Sequence, residues 1–176
     1  MKRIHIVGSS GSGKSTLSRS LSEVLGIPHI ELDAIHHLPN WTPIPRKEFE
    51  EVVDRKTDAP TWIVDGNYRR LRPIIWRKAT HLIWLDLPFP LVMYRCVRRT
   101  TKRVLTREEL FNGNRETFRN AFLSGDSVIW YTLHNHHRRR RQYLAAFESD
   151  EQAGMTRIRL TSPAEIQHFL EQQSLS

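Results

Sequence analysis

A glycine- and serine-rich stretch near the start of the chain, GSSGSGKST at 8–16, has the residue types and spacing that chemistry on phosphate requires. It satisfies the pattern G-x-x-x-x-G-K-[ST] from Gly8 to Ser15. In such a loop the backbone N–H groups surround a β-phosphate, the lysine reaches the β- and γ-oxygens, and the hydroxyl ligates Mg²⁺. We therefore predict that ATP and Mg²⁺ bind here, through Gly8, Ser9, Gly11, Ser12, Gly13, Lys14, Ser15 and Thr16.

The segments on either side of this loop decide between two interpretations of it, a phosphate site and a flexible linker of similar composition. RIHIV at 3–7 predicts a short β-strand that ends at Gly8. Apolar residues at helical spacing from Leu17 to Leu25 predict a helix, and Gly26 is a residue that ends helices. A strand, a loop and a helix in this order are the context that confirms the motif, so the linker interpretation is disfavoured.

Strand and helix patterns continue to alternate along the rest of the chain. Apolar runs predict further strands at 29–32, 61–66, 81–88 and 156–160. Helices are predicted from about Pro45, from about Pro90 and over 127–147, and two capping boxes, Thr106 with Glu109 and Ser162 with Glu165, predict helix starts. This alternation predicts an open parallel α/β sheet of about five strands with helices on both faces.

Three aspartates close or follow predicted strands: Asp33, Asp65 and Asp86. Ligands of open parallel sheets bind beyond the carboxyl ends of the strands. We therefore expect these carboxylates near the phosphate loop.

The composition indicates the number of domains, the charge of the partner and the cellular compartment. Its 176 residues correspond to about one domain, so a single domain over 1–176 is expected. The 27 Lys and Arg against 19 Asp and Glu give a net charge of +8, which indicates an anionic partner, either nucleic acid or nucleotide phosphates. No apolar run approaches the ~20 residues of a membrane span. The single cysteine, Cys96, gives no disulfide framework, and a reducing cytoplasm fits best.

Two further motifs, VDGNYRR at 64–70 and WLDLPFPLVMYRCVRR at 84–99, resemble the adenylate-kinase-like branch of P-loop kinases. In that branch a buried strand ends in Asp-Gly-x-x-Arg, here Asp65 to Arg69. A later strand ends in Asp-x-Pro and leads to a helix with two arginines four residues apart, here Arg95 and Arg99. The resemblance implies a three-layer P-loop NTPase fold with a short arginine-bearing lid.

The resemblance also implies roles for individual residues. Asp65 would hold Mg²⁺ through water, and Gly66 and Arg69 would contact the acceptor. Arg95 would stack on the adenine of ATP, and Arg99 would turn toward its phosphates. On their own, the two arginines would suggest only a solvated helix face.

A lid is expected over about 100–126, the place where such kinases carry one. Arg115 and Arg119 are spaced i, i+4, and we predict that they share one helical face and supply positive charge to the transition state. A closed lid would exclude water and favour transfer over hydrolysis.

Within the branch, the chain is most similar to the small FlaR-like proteins called DNA topology modulation protein. LDAIHHLPNW, WIVDGNY and the arginine-rich second half carry this resemblance, which covers nearly the whole chain. That name implies an effect on DNA, but the sequence shows no helix-turn-helix or zinc-finger signature.

The acceptor is expected at about 33–58, where the sequence has Leu32-Asp33-Ala34-Ile35-His36-His37 in place of an AMP-binding segment. Sugar-acid and shikimate-type kinases have an aspartate near this point that orients or deprotonates a hydroxyl group, and this resemblance implies the same role for Asp33. Trp41 could stack on a ring with Arg46 nearby, although a packing tryptophan is equally compatible. His36 and His37 either border the acceptor or lie on the surface.

The long predicted helix carries more histidines and a run of arginines. For His134, His136 and His137 a polar helix face near an anion is favoured over a metal site, since no cysteine or acidic ligand is close in sequence. Most of the arginines at 138–141 are expected on the surface, and one of them could face the phosphates.

Three functions are compatible with these patterns. The first is an ATP- and Mg²⁺-dependent phosphotransferase acting on a nucleotide or a small hydroxyl compound. The alternatives are a nucleic-acid-associated ATPase and a nucleotide-binding module without catalysis. The arginines cluster at 69–78, 95–103 and 115–119, segments that would line a kinase site, which favours the first function.

Overall fold

The computed structural model describes residues 1–124, 127–148 and 154–175. They form a parallel sheet of five strands in the order β2-β3-β1-β4-β5. The strands are β1 Arg3–Gly8, β2 His29–Glu31, β3 Trp62–Asp65, β4 His81–Leu85 and β5 Thr156–Leu160. The predicted open parallel sheet is confirmed, including every predicted strand.

Seven α-helices connect or follow the strands within the described ranges. They are α1 Lys14–Leu25, α2 Leu32–His36, α3 Arg46–Lys56, α4 Arg72–Lys78, α5 Phe89–Thr106, α6 Val128–Glu148 and α7 Pro163–Ser174. Short 3₁₀ turns lie at Pro39–Trp41, Arg69–Leu71 and Phe111–Gly113, and a π-helical turn lies at Arg119–Leu123. Over the described parts of the chain, no helix combines the length and apolarity that crossing a membrane would need.

Helices cover both faces of the sheet, because each strand directs apolar side chains to both sides. On one face Val64 and Trp84 lie in a core with Tyr143 of α6. On the other face Ile63 and Ile83 lie in a core with side chains of α1 and α7. Burial on both faces explains why the central strands are near-continuous apolar runs in the sequence.

The register of the sheet brings the carboxyl ends of the strands together. Strand β1 is central, with Gly8 opposite Leu85 of β4. On the other side, Glu31 at the end of β2 is opposite Asp65 at the end of β3. The phosphate loop between β1 and α1 therefore begins beside the carboxylates of two neighbouring strands.

The region after α5 differs from the sequence-based expectation. The capping box at Thr106 was wrong: Thr106 is the last residue of α5, and its hydroxyl donates to the carbonyl of Lys102 at 2.9 Å. Glu109 forms an isolated antiparallel bridge with Arg115. Arg119 begins the separate π-helical turn, so the two lid arginines do not share one helical face. The last two residues of the predicted lid, 125 and 126, lie outside the described residues.

The second capping box is confirmed at the start of α7. Ser162 Oγ accepts from the backbone N–H of Glu165 at 3.1 Å. The Glu165 carboxylate accepts in turn from the backbone N–H of Thr161 at 2.7 Å, one residue earlier than in the standard box. These bonds satisfy backbone donors at the turn that follows the edge strand.

Candidate functional site

The phosphate loop has the geometry of an anion-binding turn. Gly13 is the residue that precedes α1, with a left-handed φ of 95°, and no side chain caps the helix there. The N-terminal amides of α1 therefore point toward the loop without a side-chain acceptor at the N-cap. Such a helix start favours a phosphate group, through both hydrogen bonding and the helix dipole.

The loop lies directly against α5. A Cβ atom placed on Gly11 would be 2.6 Å from the carbonyl oxygen of Val92 and 3.0 Å from the amide nitrogen of Cys96. At the other glycine of the loop, Gly13, an added Cβ atom would lie 4.0 Å from Arg95 Nη1. The close approach that Gly11 allows thus positions the arginines of α5 beside the loop.

Cationic groups converge on the loop. Lys14 Nζ donates to the carbonyl of Ser9 at 3.1 Å. Burial lowers the pKa of Lys14, and the charges of Arg99 and Arg139 lower it further, whereas Asp65 and Asp33 oppose the shift. Within the described contacts, the buried Nε of Arg99 has no hydrogen-bond partner. An anion at the loop would compensate these charges and donors, which is the arrangement that a triphosphate requires.

Asn67 fixes the start of the loop, a role that the sequence did not reveal. Its Nδ2 donates to the carbonyl of Gly8 at 2.5 Å, and its Oδ1 accepts from the Gly8 amide at 3.2 Å. The hydroxyl of Tyr143 donates to the same Oδ1 at 2.9 Å. One amide side chain therefore joins the loop to β3 and α6, and its only sequence signal was its place in the motif after Asp65.

His136 is a second residue whose contact with the loop the sequence did not reveal, although a polar helix face near an anion was predicted for the histidines of α6. It is 5% exposed, and its Nδ1 lies 3.0 Å from the hydroxyl of Ser9. Burial lowers its pKa, with a further contribution from His137. His134 and His137 are exposed on α6, as that interpretation required.

The oxygen ligands expected for Mg²⁺ lie at the ends of β2 and β3 and at the first turn of α1. Ser15 Oγ donates to Glu31 Oε1 at 3.1 Å. Asp65 is 2% exposed, its Oδ1 lies 3.4 Å from His29 Nε2, and its Oδ2 is buried without a described hydrogen-bond partner. Glu31 is a carboxylate that sequence reasoning missed, because nothing in its local pattern distinguishes it from a solvated strand residue.

The pKa values of Glu31 and Asp65 are shifted in opposite directions. Burial and the neighbouring charge of Asp65 raise the pKa of Glu31. Burial also acts to raise the pKa of Asp65, but the neighbouring polar side chains of His29 and Ser15 and the charge of Lys14 outweigh it and leave that pKa below its usual value. Asp65 is thus held as a carboxylate.

These residues fit Mg²⁺. Among the described residues, no group of three or more His, Cys, Asp or Glu side chains forms a metal cage by itself. Mg²⁺ usually binds through one or two carboxylates together with substrate phosphates and water, so a hydroxyl and two carboxylates beside a phosphate loop suffice. The unpartnered Oδ2 of Asp65 is an acceptor that a metal-bound water would satisfy.

Asp33, where the predicted acceptor segment begins, lies in the first turn of α2. Tyr68 Oη donates to Asp33 Oδ1 at 2.7 Å, and burial together with this carboxylate raises the pKa of Tyr68. The ring of His36 packs on Tyr68 and Phe49, with centroid distances of 4.8 and 5.1 Å. Burial lowers the pKa of His36. His36 therefore packs beneath the surface of the predicted acceptor segment, on Tyr68 and Phe49, whereas Asp33 is exposed.

Trp41 joins the acceptor segment to the lid. Its backbone N–H donates to Asn114 Oδ1 at 2.7 Å, and its indole N–H donates to the carbonyl of Arg115 at 3.1 Å. Asn114 Nδ2 donates to the carbonyl of Leu38 at 2.9 Å, and Asn112 Nδ2 donates to that of His37 at 2.6 Å. Of the two alternatives for Trp41, stacking on a ligand ring or packing, these contacts support packing, with Trp41 as an anchor between two loops.

Four predicted arginines lie away from these contacts. Arg46 pairs with Glu50 at 2.8 Å on the exposed side of α3, and Arg115 pairs with Glu109 at 3.4 Å. Arg69 and Arg119 are exposed. Among the described hydrogen bonds and ion pairs, none joins these four side chains to the phosphate loop.

Of the arginine run at 138–141, Arg139 is the member that faces the loop. It is half-buried and lines a small cavity with Ser9, Ser10 and Asn67. Its guanidinium lies over the ring of Tyr131 and donates to that hydroxyl. The expectation that one arginine of the run could face the phosphates therefore has a named candidate.

A phosphate loop between the central strand and the first helix of a parallel sheet defines the class as P-loop nucleotide-binding proteins. The family model described as AAA domain matches residues 4–175, and the chain belongs to this family. The comparison with curated proteins gave no match.

Three solved structures to which this chain is similar are kinases. Shikimate kinase from Acinetobacter baumannii in complex with shikimate has 16% identity and a TM-score of 0.55, over 98% of this chain and 90% of that chain. A gluconokinase from Sinorhizobium meliloti 1021 has 16% identity and a TM-score of 0.49, over 99% and 96% of the two chains. A sugar kinase from Janibacter sp. HTCC2649 has 18% identity and a TM-score of 0.48, over 99% and 91%. The first of these supports the P-loop kinase fold; the resemblance to DNA topology modulation proteins stays a prediction.

Proposed function

We propose that the protein is an ATP- and Mg²⁺-dependent phosphotransferase that moves the γ-phosphate of ATP to a hydroxyl group of a small acceptor, either a nucleotide or another compound. The observation that carries this proposal is the position of Asp33. Asp33 lies in the first turn of α2, directly after β2, and its charge acts on Lys14 of the loop in addition to that of Asp65. A second carboxylate near the loop, exposed and not needed for the metal, is what a hydroxyl acceptor needs and a simple nucleotide switch does not.

On the nucleotide side, the loop amides and Lys14 bind the phosphates, and Arg99 adds positive charge. Arg95 lies where the base or ribose would pass beyond Gly13. Ser15, Glu31 and Asp65 would hold Mg²⁺, which supplies charge stabilisation to the β- and γ-phosphates when bound. Phosphoryl transfer depends mostly on such positioned charge, since little covalent chemistry falls to the protein.

On the acceptor side, Asp33 receives the proton of the attacking hydroxyl. Tyr68 donates to Asp33 Oδ1 and so fixes the carboxylate, leaving Oδ2 for the acceptor. Gly66 and Arg69 follow β3 at the same edge of the sheet, and the acceptor segment over 33–58 lies between them and the lid. Arg139 adds positive charge from α6, where an anionic group of the acceptor or the transferred phosphate would lie.

The lid arginines take part only after a movement. Arg115 is paired with Glu109 and Arg119 is exposed, so closure of the segment over 100–126 would have to bring them to the phosphates. His36 and Trp41 act on the acceptor indirectly, through the packing and docking of its segment, whereas Arg46 pairs with Glu50 on the exposed side of α3.

The test is an ADP-release screen with Mg²⁺ and ATP over nucleosides, nucleoside monophosphates and small sugar acids, each with and without plasmid DNA. We expect release that depends on one small acceptor. Lys14→Ala and Asp33→Asn should each lower that rate at least 100-fold, while Asp33→Asn keeps its affinity for an ATP analogue, because a base and a phosphate ligand contribute separately.

Asp58→Asn is the matched control, since this exposed carboxylate pairs with Lys78 away from the loop. Full acceptor-dependent activity in Asp33→Asn would refute the assigned base. Release that only DNA stimulates would refute the small acceptor and favour a nucleic-acid-associated ATPase.

A further inference from the structure

A groove at the β5 edge of the sheet, which we call the edge groove, has no part in the proposed reaction. It encloses about 470 Å³ and is lined by Phe89, His136, His137, Arg140, Arg159 and Thr161. The β4–α5 turn forms one wall, α6 forms another, and the end of β5 closes the third side. This volume is within the range of pockets that hold small molecules, about 300–1,000 Å³.

The floor of the edge groove is positively charged overall. Asp86, whose side chain is 3% exposed, accepts from Arg140 Nε at 2.9 Å and pairs with Arg159 Nη2 at 2.5 Å. Two guanidinium groups around one carboxylate leave one net positive charge. Among the described contacts, the terminal nitrogens of Arg140 and Nη1 of Arg159 have no acceptor, so planar donors remain for an anion.

The wall beside this charge is aromatic. Phe89 packs against His136 and His137, with ring centroids 5.1 and 5.7 Å away. Phe89 is partly exposed and His137 is exposed, so a planar ring has two surfaces on which to stack. Aromatic walls with a few convergent charged donors are the lining that planar anionic ligands require.

The edge groove is separate from the phosphate loop. His136 forms the partition, because its Nδ1 faces Ser9 of the loop while its ring also lines the edge groove. Arg95, beside Gly13, lies at the other end of the loop from Ser9. A nucleotide whose phosphates occupy the loop and whose base stacks on Arg95, as the sequence resemblance implies, would therefore extend away from the edge groove.

We propose that the edge groove binds a second small ligand, an anionic compound with a planar ring and the size of a nucleoside monophosphate. Its anionic group pairs with Arg140 and Arg159, and its ring stacks on Phe89 and His137. This proposal does not depend on the transfer reaction, because it concerns binding on the far side of His136.

The experiment is calorimetric titration of the protein with each of the four common nucleoside monophosphates, at saturating Mg²⁺ and a non-hydrolysable ATP analogue. We expect at least one of them to bind with 1:1 stoichiometry while the analogue stays bound. His137→Glu places a negative charge on the exposed rim without touching Asp86 and should weaken this binding at least tenfold. His137→Gln is the matched neutral control and should retain most of it.

Asp33→Asn separates the edge groove from the acceptor site. It should leave the monophosphate affinity unchanged, and His137→Glu should leave the affinity for the ATP analogue unchanged. The proposal is overturned if no monophosphate binds to the analogue-saturated protein. It is equally overturned if the affinity falls in Asp33→Asn and is the same in His137→Glu and wild type.

Discussion

At the scale of single residues, two glycines with similar backbone conformations have different surroundings. Gly11 has a φ of 83°, and a Cβ atom there would meet the Val92 carbonyl of α5 at 2.6 Å. Gly26 ends α1 with a φ of 62°, and a Cβ atom there would meet nothing within 4 Å. The pair separates the cost of a left-handed backbone from the cost of a steric clash.

Gly26→Ala is expected to lower the free energy of unfolding by about 1–2 kcal/mol, the cost of a left-handed alanine. Gly11→Ala should lower it by a further ~1–3 kcal/mol, because the backbone of α5 must move. It should also weaken binding of an ATP analogue at least tenfold, and Gly26→Ala should not. Urea unfolding and calorimetry measure both effects; equal stability of the two variants would contradict the close contact.

The residues of the site that were predictable share one property, a local motif. Lys14, Ser15 and Asp65 stand at fixed spacings beside a strand end, so their positions follow from chain geometry. Asn67 and His136 act through contacts with partners 59 and 127 residues away. No local pattern encodes such a pairing, since it depends on the order of strands and on where α6 crosses the loop.

At the scale of elements, two loops far apart in the sequence form one docked unit. The turn at Pro39–Trp41 and the turn at Phe111–Gly113 are joined by the side chains of Asn112 and Asn114. Asn114 is 3% exposed and also accepts from the backbone N–H of Trp41. The segments predicted to be the acceptor segment and the first part of the lid are therefore mechanically connected.

Asn114→Ala should lower the free energy of unfolding by about 1–3 kcal/mol, because it leaves the amide of Trp41 and the carbonyl of Leu38 without this partner. Amide hydrogen exchange should accelerate in both turns together and remain unchanged in the central strands. Asn120→Ala, an exposed asparagine of the same lid, is the control and should change neither. Faster exchange in only one turn would contradict the docked unit.

The strands were predictable because burial on both faces gives near-continuous apolar runs. The long helices were predictable because burial of one face gives a periodic apolar pattern. The region after α5 was not. Arg107 has a φ of 48° and ends the helix without a glycine. The turns at 111–113 depend on asparagine side chains that bond to the acceptor segment, so tertiary contacts decide their conformation and local propensity does not.

At the scale of the whole molecule, a buried histidine joins the central strand to the end of β3 and to α4. His5 on the central strand β1 is 1% exposed. Its Nε2 donates to the carbonyl of Gly66 at 3.1 Å, and its Nδ1 accepts from the indole N–H of Trp76 at 2.8 Å. Burial lowers its pKa from 6.5 to about 4, so the native state holds it neutral.

This neutral histidine makes the free energy of unfolding depend on pH. Between pH 6.5 and about 4, His5 is protonated in the unfolded chain and neutral in the native state. The stabilisation is therefore fully present above pH 6.5 and is lost as the pH falls from 6.5 to about 4. The full effect is about 3 kcal/mol at about 1.4 kcal/mol per pKa unit. Urea unfolding at pH 7 and pH 5 should show a smaller loss in His5→Gln than in wild type; equal losses would refute it.

The hydrogen bond between Ser9 and His136 has a thermodynamic consequence for the two binding regions that meet at this histidine. Any ligand that shifts His136 changes the free energy of the loop, and free energy is a state function. The factor by which a ligand of the edge groove alters the affinity for ATP must therefore equal the factor by which ATP alters the affinity for that ligand. A rise in ATP concentration would change the apparent affinity for the proposed ligand of the edge groove, and a rise in that ligand would change the apparent affinity for ATP. The occupancy of each site would then depend on the concentration of the other ligand.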